Sequence, residues 1–463
     1  MNSRQLAKLG VSADGIPFAI RLLARLHRDG KPDKSAVKLA VMKLDETPEL
    51  CLDDPLMADL ATELLDQRRD FSGETATYQT WGESLIDNAA RLQMDRACSL
   101  PVAVQGALMP DAHLGYGLPI GGVLACHNAV VPYAVGVDIA CRMKLSLFDR
   151  PVSALDDAAQ QLTDALERGT RFGVGSQHET PKHHPVLDED WTITSTTRNK
   201  RDIAWKQLGT SGSGNHFVEF GEVEISDTTP DAPVPAGTYL GLLSHSGSRG
   251  AGAAVCQTYS SIARKKLPRH LQDFAYLAWL SLDSEAGQEY WAAMNLMGRY
   301  AAANHEVIHN TIAELIGGQI VSTIENHHNF AWIEQHNNRS LVVHRKGATP
   351  AGTGVLGVIP GTLADPAYIV RGKGNAASLC SASHGAGRAM SRREANDRYR
   401  WKAVAKQLES QHIAVVSTGN DEVPAAYKDI RGVMAAQDDL VEVLGTFQPR
   451  IVKMCGDGSK AED

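Results

Sequence analysis

Residues 102–110, VAVQGALMP, and 121–131, GGVLACHNAVV, are two short β-rich strings joined by the glycine-rich connection DAHLGYGLPI at 111–120. Strand formers run for only a few positions before Gly or Pro interrupts them, which is the pattern of short sheet strands separated by tight turns. The same pattern recurs in RMKLSLF (142–148), TYLGLLSHSG (238–247), SLVVHRKG (340–347) and AYIVRGKG (367–374). Between these strings lie helical stretches, ALDDAAQQLTDALERG (154–169), the segment 289–315 and SRREANDRYRWKAVAKQLES (391–410). Strands and helices mix without regular βαβ spacing, which predicts one large α+β domain.

Upstream of about Tyr78 the pattern is different. IPFAIRLLARL (16–26), SAVKLAVMKL (35–44) and LMADLATELLDQ (56–67) carry helical periodicity, the first two separated by RDGKPDK (28–34). Glycine is sparse in this part and no chemistry-bearing cluster occurs there. Residues 1–75 are expected to form a small helical N-terminal element offering a packing or oligomerisation surface, with the main domain at 76–463.

Composition limits what that domain does. The 463 residues are 43% hydrophobic and 22% charged, so the chain has ample apolar mass for a globular core. Lys plus Arg number 46 against 54 Asp plus Glu, a net charge of −8, so no global positive field draws nucleic acid and any such site must be local. Seven cysteines, odd in number and without CxxC pairing, argue against a disulfide framework or zinc ribbon and for a reducing cytoplasm. The N-terminus has no signal-peptide apolar region and no run of about 18 apolar residues occurs, so a cytoplasmic chain that does not cross a membrane is expected. Most informative are the 17 His and 41 Gly, because the His sit largely in Gly- and Asn-rich clusters.

Five clusters carry chemistry. GVDIAC places Asp138 and Cys141 one turn apart, a carboxylate and a thiolate suited to a divalent metal, the thiolate being able to bridge two ions. By itself the pair has a plainer reading, since a buried Cys after a strand ordinarily packs. GTSGSGNHFVEF brings Asn215, His216 and Glu219 behind small residues that let a phosphate or metal approach the backbone. LSHSGSRGAG sets His245 at the end of an apolar strand, followed by Arg249. IENHHNF supplies His327 and His328, of which an extended backbone aims only one at a given point. CSASHGAGR surrounds His384 with small residues and adds Arg388 four positions on, a combination suited to a nucleophile toward phosphorus. A loop His ahead of a helix capped by Ser391 is the plainer alternative.

A competing motif is HEVIH, His305, Glu306 and His309, which matches the HExxH of zinc peptidases on a helix. Leu315 stands where a third His is wanted in the longer form, although Glu325 offers a downstream carboxylate. Basic residues gather at 198–201, 264–270, 344–347 and 398–402. Such runs are usually solvated faces, but VHRKG ends an apolar strand at a glycine turn, so Arg345 and Lys346 are candidate phosphate anchors.

Taken together, MPDAHLGYGLPIGG, GVDIAC, GSGNHF, HSGSRG, HNFA, VHRKGAT and SASHGAGRAMSRREA resemble, in order, the motifs of the RtcB family of RNA-splicing ligases, over about Gly106 to Gly456. The resemblance implies a metal site of two Mn(II) ions held by Asp138, Cys141, His216, His245 and His328, with the thiolate bridging. It implies that His384 attacks the α-phosphorus of GTP and carries GMP, and that Asn215, Glu219, Thr362, Tyr427 and Lys453 contact the nucleotide. Arg249, Arg345, Lys346 and Arg388, read from their own placement beside these clusters and glycine turns, are the candidate contacts to the RNA substrate.

The implied reaction opens a 2′,3′-cyclic phosphate to a 3′-phosphate, activates it with GMP and seals it to a 5′-hydroxyl, in tRNA splicing or RNA repair. The partners are then GTP and RNA ends such as tRNA halves, with dependence on an activating protein left open. The chain departs from the family in two places. Met454 and Cys455 separate Lys453 from Gly456, and PGTLADPAY replaces the usual PGSMG, keeping a hydroxyl at Thr362 but changing Leu363 and Ala364. These departures leave room for a variant that activates ends but joins them poorly. A thiolate and imidazole site also intrinsically prefers Zn(II), so manganese loading has to come from open coordination positions and metal supply.

Overall fold

The computed structural model describes residues 1–12, 15–28, 33–69, 75–226, 228–229, 232–267 and 269–456. Near the N-terminus, helices span Ser3–Leu9, Ile16–Arg28, Lys34–Glu46 and Ala58–Arg69. Residues 29–32 of the RDGKPDK connection and residues 70–74 ahead of the main domain lie outside the described residues. Helical periodicity brings Leu6, Leu22, Val41 and Leu60 into one buried cluster, whose described members run from residue 6 to residue 64. The ion pairs Arg21–Glu63 and Arg25–Asp59 link the second helix to the fourth, and being exposed they orient more than they stabilise.

The main part of the chain is α+β, built on two mixed sheets. The five-stranded sheet runs 78–80, 103–113, 120–126, 339–346 and 329–336 in spatial order. The larger sheet runs 356–359, 367–372, 441–454, 217–225, 237–246, 142–148 and 320–327, with 414–417 added beside 441–454. Alternation along its strands sorts side chains into two cores. Met143, Leu145 and Leu147 enter one with Ile324, Ile369 and Phe447. Phe148, Phe220, Leu240 and Leu242 enter the other, against Ile308 and Ile312 of the long helix Glu285–Ile316. That helix starts where the Ser284 side chain accepts from Gly287 N and stops at the left-handed Gly317.

Strand order decides where the chemistry gathers. Strands 217–225, 237–246, 142–148 and 320–327 are consecutive antiparallel neighbours, so the start of each lies beside the end of the next. His216 precedes the first, His245 is near the end of the second, Cys141 precedes the third and His328 follows the fourth. All four therefore meet at one end of the sheet. His328 is also the residue between the two sheets, since Asn329 opens strand Asn329–His336 of the smaller one. Among the described residues, no helix is long and apolar enough to cross a membrane.

Candidate functional site

At that end of the large sheet the donor atoms converge. The Cys141 Sγ lies 3.4 Å from His216 Nε2 and 3.1 Å from His245 Nε2, and His245 Nε2 lies 3.1 Å from His328 Nε2. Asp138 Oδ2 is 3.1 Å from His216 Nε2. Two overlapping donor groups result, Asp138 with Cys141 and His216, and Cys141 with His245 and His328, all buried. Cys141 belongs to both, the arrangement a bridging thiolate needs.

Secondary contacts hold the rings. His216 Nδ1 lies 2.7 Å from Ser211 O and His245 Nδ1 3.2 Å from Asn215 O, which leaves each Nε2 lone pair facing the cluster. Burial pushes the His245 imidazole down to about 3 and the His328 imidazole well below its ordinary value, so both are neutral and able to ligate at pH 7. Burial works to raise the Asp138 carboxyl, but His216 and Arg249 outweigh it and keep the group ionised. Gly247 passes so close that an added Cβ would sit 2.1 Å from both Asp138 carboxylate oxygens. The residues fit divalent cations: a thiolate, imidazoles and a carboxylate converge so that the donor atoms of each group lie within 4.8 Å of one another.

The cluster forms the floor of a cavity of about 290 Å³. His384, at the end of strand Ser381–Ser383, enters its wall with ring centroid 4.9 Å from that of His328. Its Nδ1 lies 2.6 Å from Asp111 Oδ2, and the same oxygen accepts from the His384 and Gly385 backbone N–H groups. Burial alone would raise the Asp111 carboxyl, yet its bond to His384 keeps it below the ordinary carboxylate value. An ionised Asp111 fixes the proton on Nδ1, so Nε2 of His384 carries the free lone pair.

A family model described as tRNA-splicing ligase RtcB matches residues 93–193 and 188–454. The chain belongs to the RtcB family. It is 32% identical to the RNA-splicing ligase RtcB of Escherichia coli K12, over 81% of this chain and 96% of that protein. Similarity to the tRNA-splicing ligase RtcB of Archaeoglobus fulgidus is 31% identity over 78% of the chain and 88% of the relative. For the Mycobacterium tuberculosis RNA-splicing ligase RtcB it is 30% over 74% and 95%.

Of the remaining candidate site residues, Asn215, Glu219, Thr362, Tyr427, Lys346 and Arg388 line the cavity. Burial pushes Glu219 well above its ordinary value. Thr362 holds its own loop, donating to Asp365 Oδ2 at 2.6 Å. Lys346 Nζ donates to Tyr116 O at 2.5 Å and Tyr133 O at 3.2 Å, and burial pushes it down to about 8.

Three candidates are placed elsewhere. Arg345 is fully buried, donating to both oxygens of Glu334 at 2.6 and 3.0 Å and to Ser381 Oγ at 2.8 Å, with Trp332 beneath it. It braces a strand and is not a phosphate anchor, because strand alternation turns it away from the face that Lys346 presents. Arg249 sits behind the cluster, donating to Thr210 Oγ1 at 3.3 Å and supplying positive charge near Asp138. Lys453 Nζ donates to Leu166 O at 3.3 Å and lies over Phe172, while its neighbour Met454 lines the cavity.

The HEVIH helix is structural. Ser244 Oγ contacts His305 Nδ1 at 2.6 Å and His309 Nε2 at 2.7 Å, Ser146 Oγ contacts His309 Nδ1 at 2.7 Å, and His305 Nε2 lies 3.0 Å from Ser246 O. Every ring nitrogen is committed inside the core, and Glu306 turns outward to His184. Glu325 faces Lys144 at 3.6 Å. His327 accepts from Arg142 at 3.2 Å and packs on Phe330 and Trp332.

Sequence reasoning missed Asp111, although it stands within MPDAHLGYG; its one signal is an acid inside an apolar strand. It also missed Glu422, which is buried and joins Arg388, Arg392 and the Tyr427 hydroxyl. No local pattern marks that carboxylate.

Proposed function

We propose that this chain is a GTP-dependent RNA ligase that joins 3′-phosphate or 2′,3′-cyclic-phosphate ends to 5′-hydroxyl ends. The observation that carries this reading is His384, held at Nδ1 by Asp111 with Nε2 free beside the Asp138, Cys141, His216, His245 and His328 donors. Nε2 of His384 forms a bond to the α-phosphorus of GTP as the bond to the β-phosphate oxygen breaks and pyrophosphate leaves. GMP then passes from His384 to an oxygen of the RNA 3′-phosphate. The 5′-hydroxyl attacks that phosphorus, loses its proton and expels GMP, which closes the strand. Divalent metal, Mn(II) in this reading with two ions, offsets charge on the phosphoryl oxygens when bound.

The chain's own groups do the remaining work. Asp111 stabilises positive charge on the His384 ring as Nε2 becomes substituted. Arg388, steadied by Asp421 O at 2.8 Å and Met390 O at 3.1 Å, and Lys346 place positive charge along the cavity wall. Asn215, Glu219, Thr362 and Tyr427 form the nucleotide side, and a guanine that offers N–H donors to Glu219 favours its ionised form. Residues 1–75 act as an accessory helical element and 76–463 as the catalytic domain, in a cytoplasmic setting with which seven cysteines outside any disulfide agree. Incubation with α-labelled GTP and Mn(II) should label the protein; label that persists in His384→Ala would sink the reading.

A second reading is favoured by Lys453 turning from the cavity and by Leu363 lining it. It is an enzyme that activates RNA ends with GMP and joins them poorly. Accumulation of guanylated ends without joined product would distinguish it.

A further inference from the structure

Beside the cavity mouth lies a group of side chains with no part in the chemistry above. Leu114 and Tyr116, in the loop after strand 103–113, line the cavity yet are 58% and 65% exposed. Tyr276, 53% exposed, stands next to them, its ring centroid 6.3 Å from that of Tyr116 and inclined by 33°. Tyr133, also in the cavity wall, meets Tyr276 edge to face at 5.8 Å, with Lys346 Nζ 5.9 Å from its centroid. Three tyrosines thus form a step running from the cavity wall to the surface.

The step is built, not accidental. Gly117 has φ of +73°, and an added Cβ would sit 2.5 Å from Tyr276 O, so the loop carrying Tyr116 is seated directly on the segment carrying Tyr276. That segment, Arg269–Leu277, packs against the end of helix Arg249–Lys266 and against Pro132–Val135. The helix ends in Arg264, Lys265 and Lys266, all exposed, and Arg264 is within electrostatic reach of the Tyr133 phenol. This is the 264–270 basic run of the sequence, for which the reaction has no use.

We infer that Tyr116, Tyr276 and the basic helix end at 264–266 form a docking shelf for the unpaired nucleotides of single-stranded RNA next to the reacting end. Exposed aromatic faces beside a basic track are the means by which proteins hold single strands without reading sequence, the rings stacking on bases and the cations following phosphates. On a chain of net charge −8, a basic helix end whose Arg264 reaches electrostatically to Tyr133 of the cavity wall is complementary to a polyanion. A base inside a duplex is stacked on both faces and a terminal pair offers only one, so the shelf favours frayed or looped ends over blunt duplex. The inference rests on the ligase reading for its substrate.

The test uses the full chain and a short fluorescein-labelled single-stranded RNA bearing a 3′-phosphate, with GTP labelling of each variant as the check on folding and chemistry. Tyr116→Ala/Tyr276→Ala should weaken RNA binding about five- to a hundredfold while GTP labelling is unchanged. Tyr116→Phe/Tyr276→Phe, which keeps the rings, should keep the affinity. Arg264→Gln/Lys265→Gln/Lys266→Gln should lower the slope of log affinity against log salt by about 2. The shelf is overturned if the alanine pair binds like wild type, if the phenylalanine pair loses as much as the alanine pair, or if a blunt duplex competes equally well. A wild-type protein that GTP does not label overturns the ligase reading instead, and the affinity comparison still decides the shelf.

Discussion

His384 Nδ1 and Asp111 Oδ2 lie 2.6 Å apart, and the Asp111 side chain is wholly buried. One carboxylate therefore sets the tautomer, the orientation and the charge tolerance of the ring that faces the candidate metal donors. Replacing it by Asn offers an amide that is free to donate to Nδ1, which moves the proton to Nε2 and removes the nucleophilic lone pair. Asp111→Asn is expected to slow guanylation of His384 by two to four orders of magnitude, roughly the cost of the same change in a histidine–aspartate pair elsewhere. The rate of label incorporation from GTP measures it; a rate within a few-fold of wild type would remove Asp111 from the mechanism.

Cys141 is common to both donor groups. Losing any other donor leaves one group intact, whereas losing the thiolate weakens both. Elemental analysis of purified Cys141→Ala should therefore find less metal than in His328→Ala, both prepared with the same metal supply. Equal metal in the two variants would argue against a bridging role.

Arg345 is fully buried whereas Glu334 is 24% exposed, so removing the guanidinium leaves a carboxylate that water partly reaches and takes a donor from Ser381 Oγ and Leu379 O. Arg345→Ala should cost about 1–3 kcal/mol of stability. Labelling per folded molecule should be unchanged, because Arg345 does not line the cavity. A thermal melt paired with the GTP assay checks both halves, and a labelling defect at full stability would restore the substrate role that VHRKG suggests.

His344 gives the pH dependence a sign. Its Nε2 accepts from Val131 N–H at 2.9 Å and its Nδ1 lies 3.0 Å from Leu124 O, so the folded protein holds the neutral ring. Burial pushes it down from 6.5 to about 4. The unfolded chain then takes up a proton first as pH falls, and stability is lost between about 6.5 and 4, by roughly 3 kcal/mol over that window. Denaturant unfolding of metal-free protein across this range should show the decline, to which other buried imidazoles such as His245 and His328 add, and His344→Asn should make it shallower by about 3 kcal/mol. An identical pH profile in the variant would refute the assignment.

Much of the site is legible in the chain because its donors occupy short, chemically distinctive strings. GVDIAC, GSGNHF, HSGSRG, HNFA and SASHGAGR each carry a candidate donor or nucleophile, and in HSGSRG and SASHGAGR it stands directly between small residues. The exceptions have a common cause. Arg345 and Lys346 are neighbours in sequence but fall on opposite faces of a strand, as do Lys453 and Met454, and no string says which face meets the cavity. HEVIH has metal-site spacing, yet its helix lies against Ser146 and Ser244 on the far side of the sheet from His245. Asp111 and Glu422 act through partners some 270 and 30 residues away, a separation beyond any local pattern.

The sequence by itself determined the α+β class, the helical character of the segments 16–26, 35–44 and 56–67, the family and the six candidate residues from Asp138 to His384 that meet at the site. The class and the helices follow from strand and helix periodicity, and the family and the six residues from the resemblance of short ordered motifs, all of which are properties of short segments. The tertiary structure alone decided which neighbour of each pair faces the cavity, that Cys141 joins two donor groups, that Asp111 holds His384, and that a tyrosine and basic shelf borders the cavity. Those depend on strand order and register, in which antiparallel neighbours bring distant chain ends together, and that geometry is set by the packing of the whole sheet.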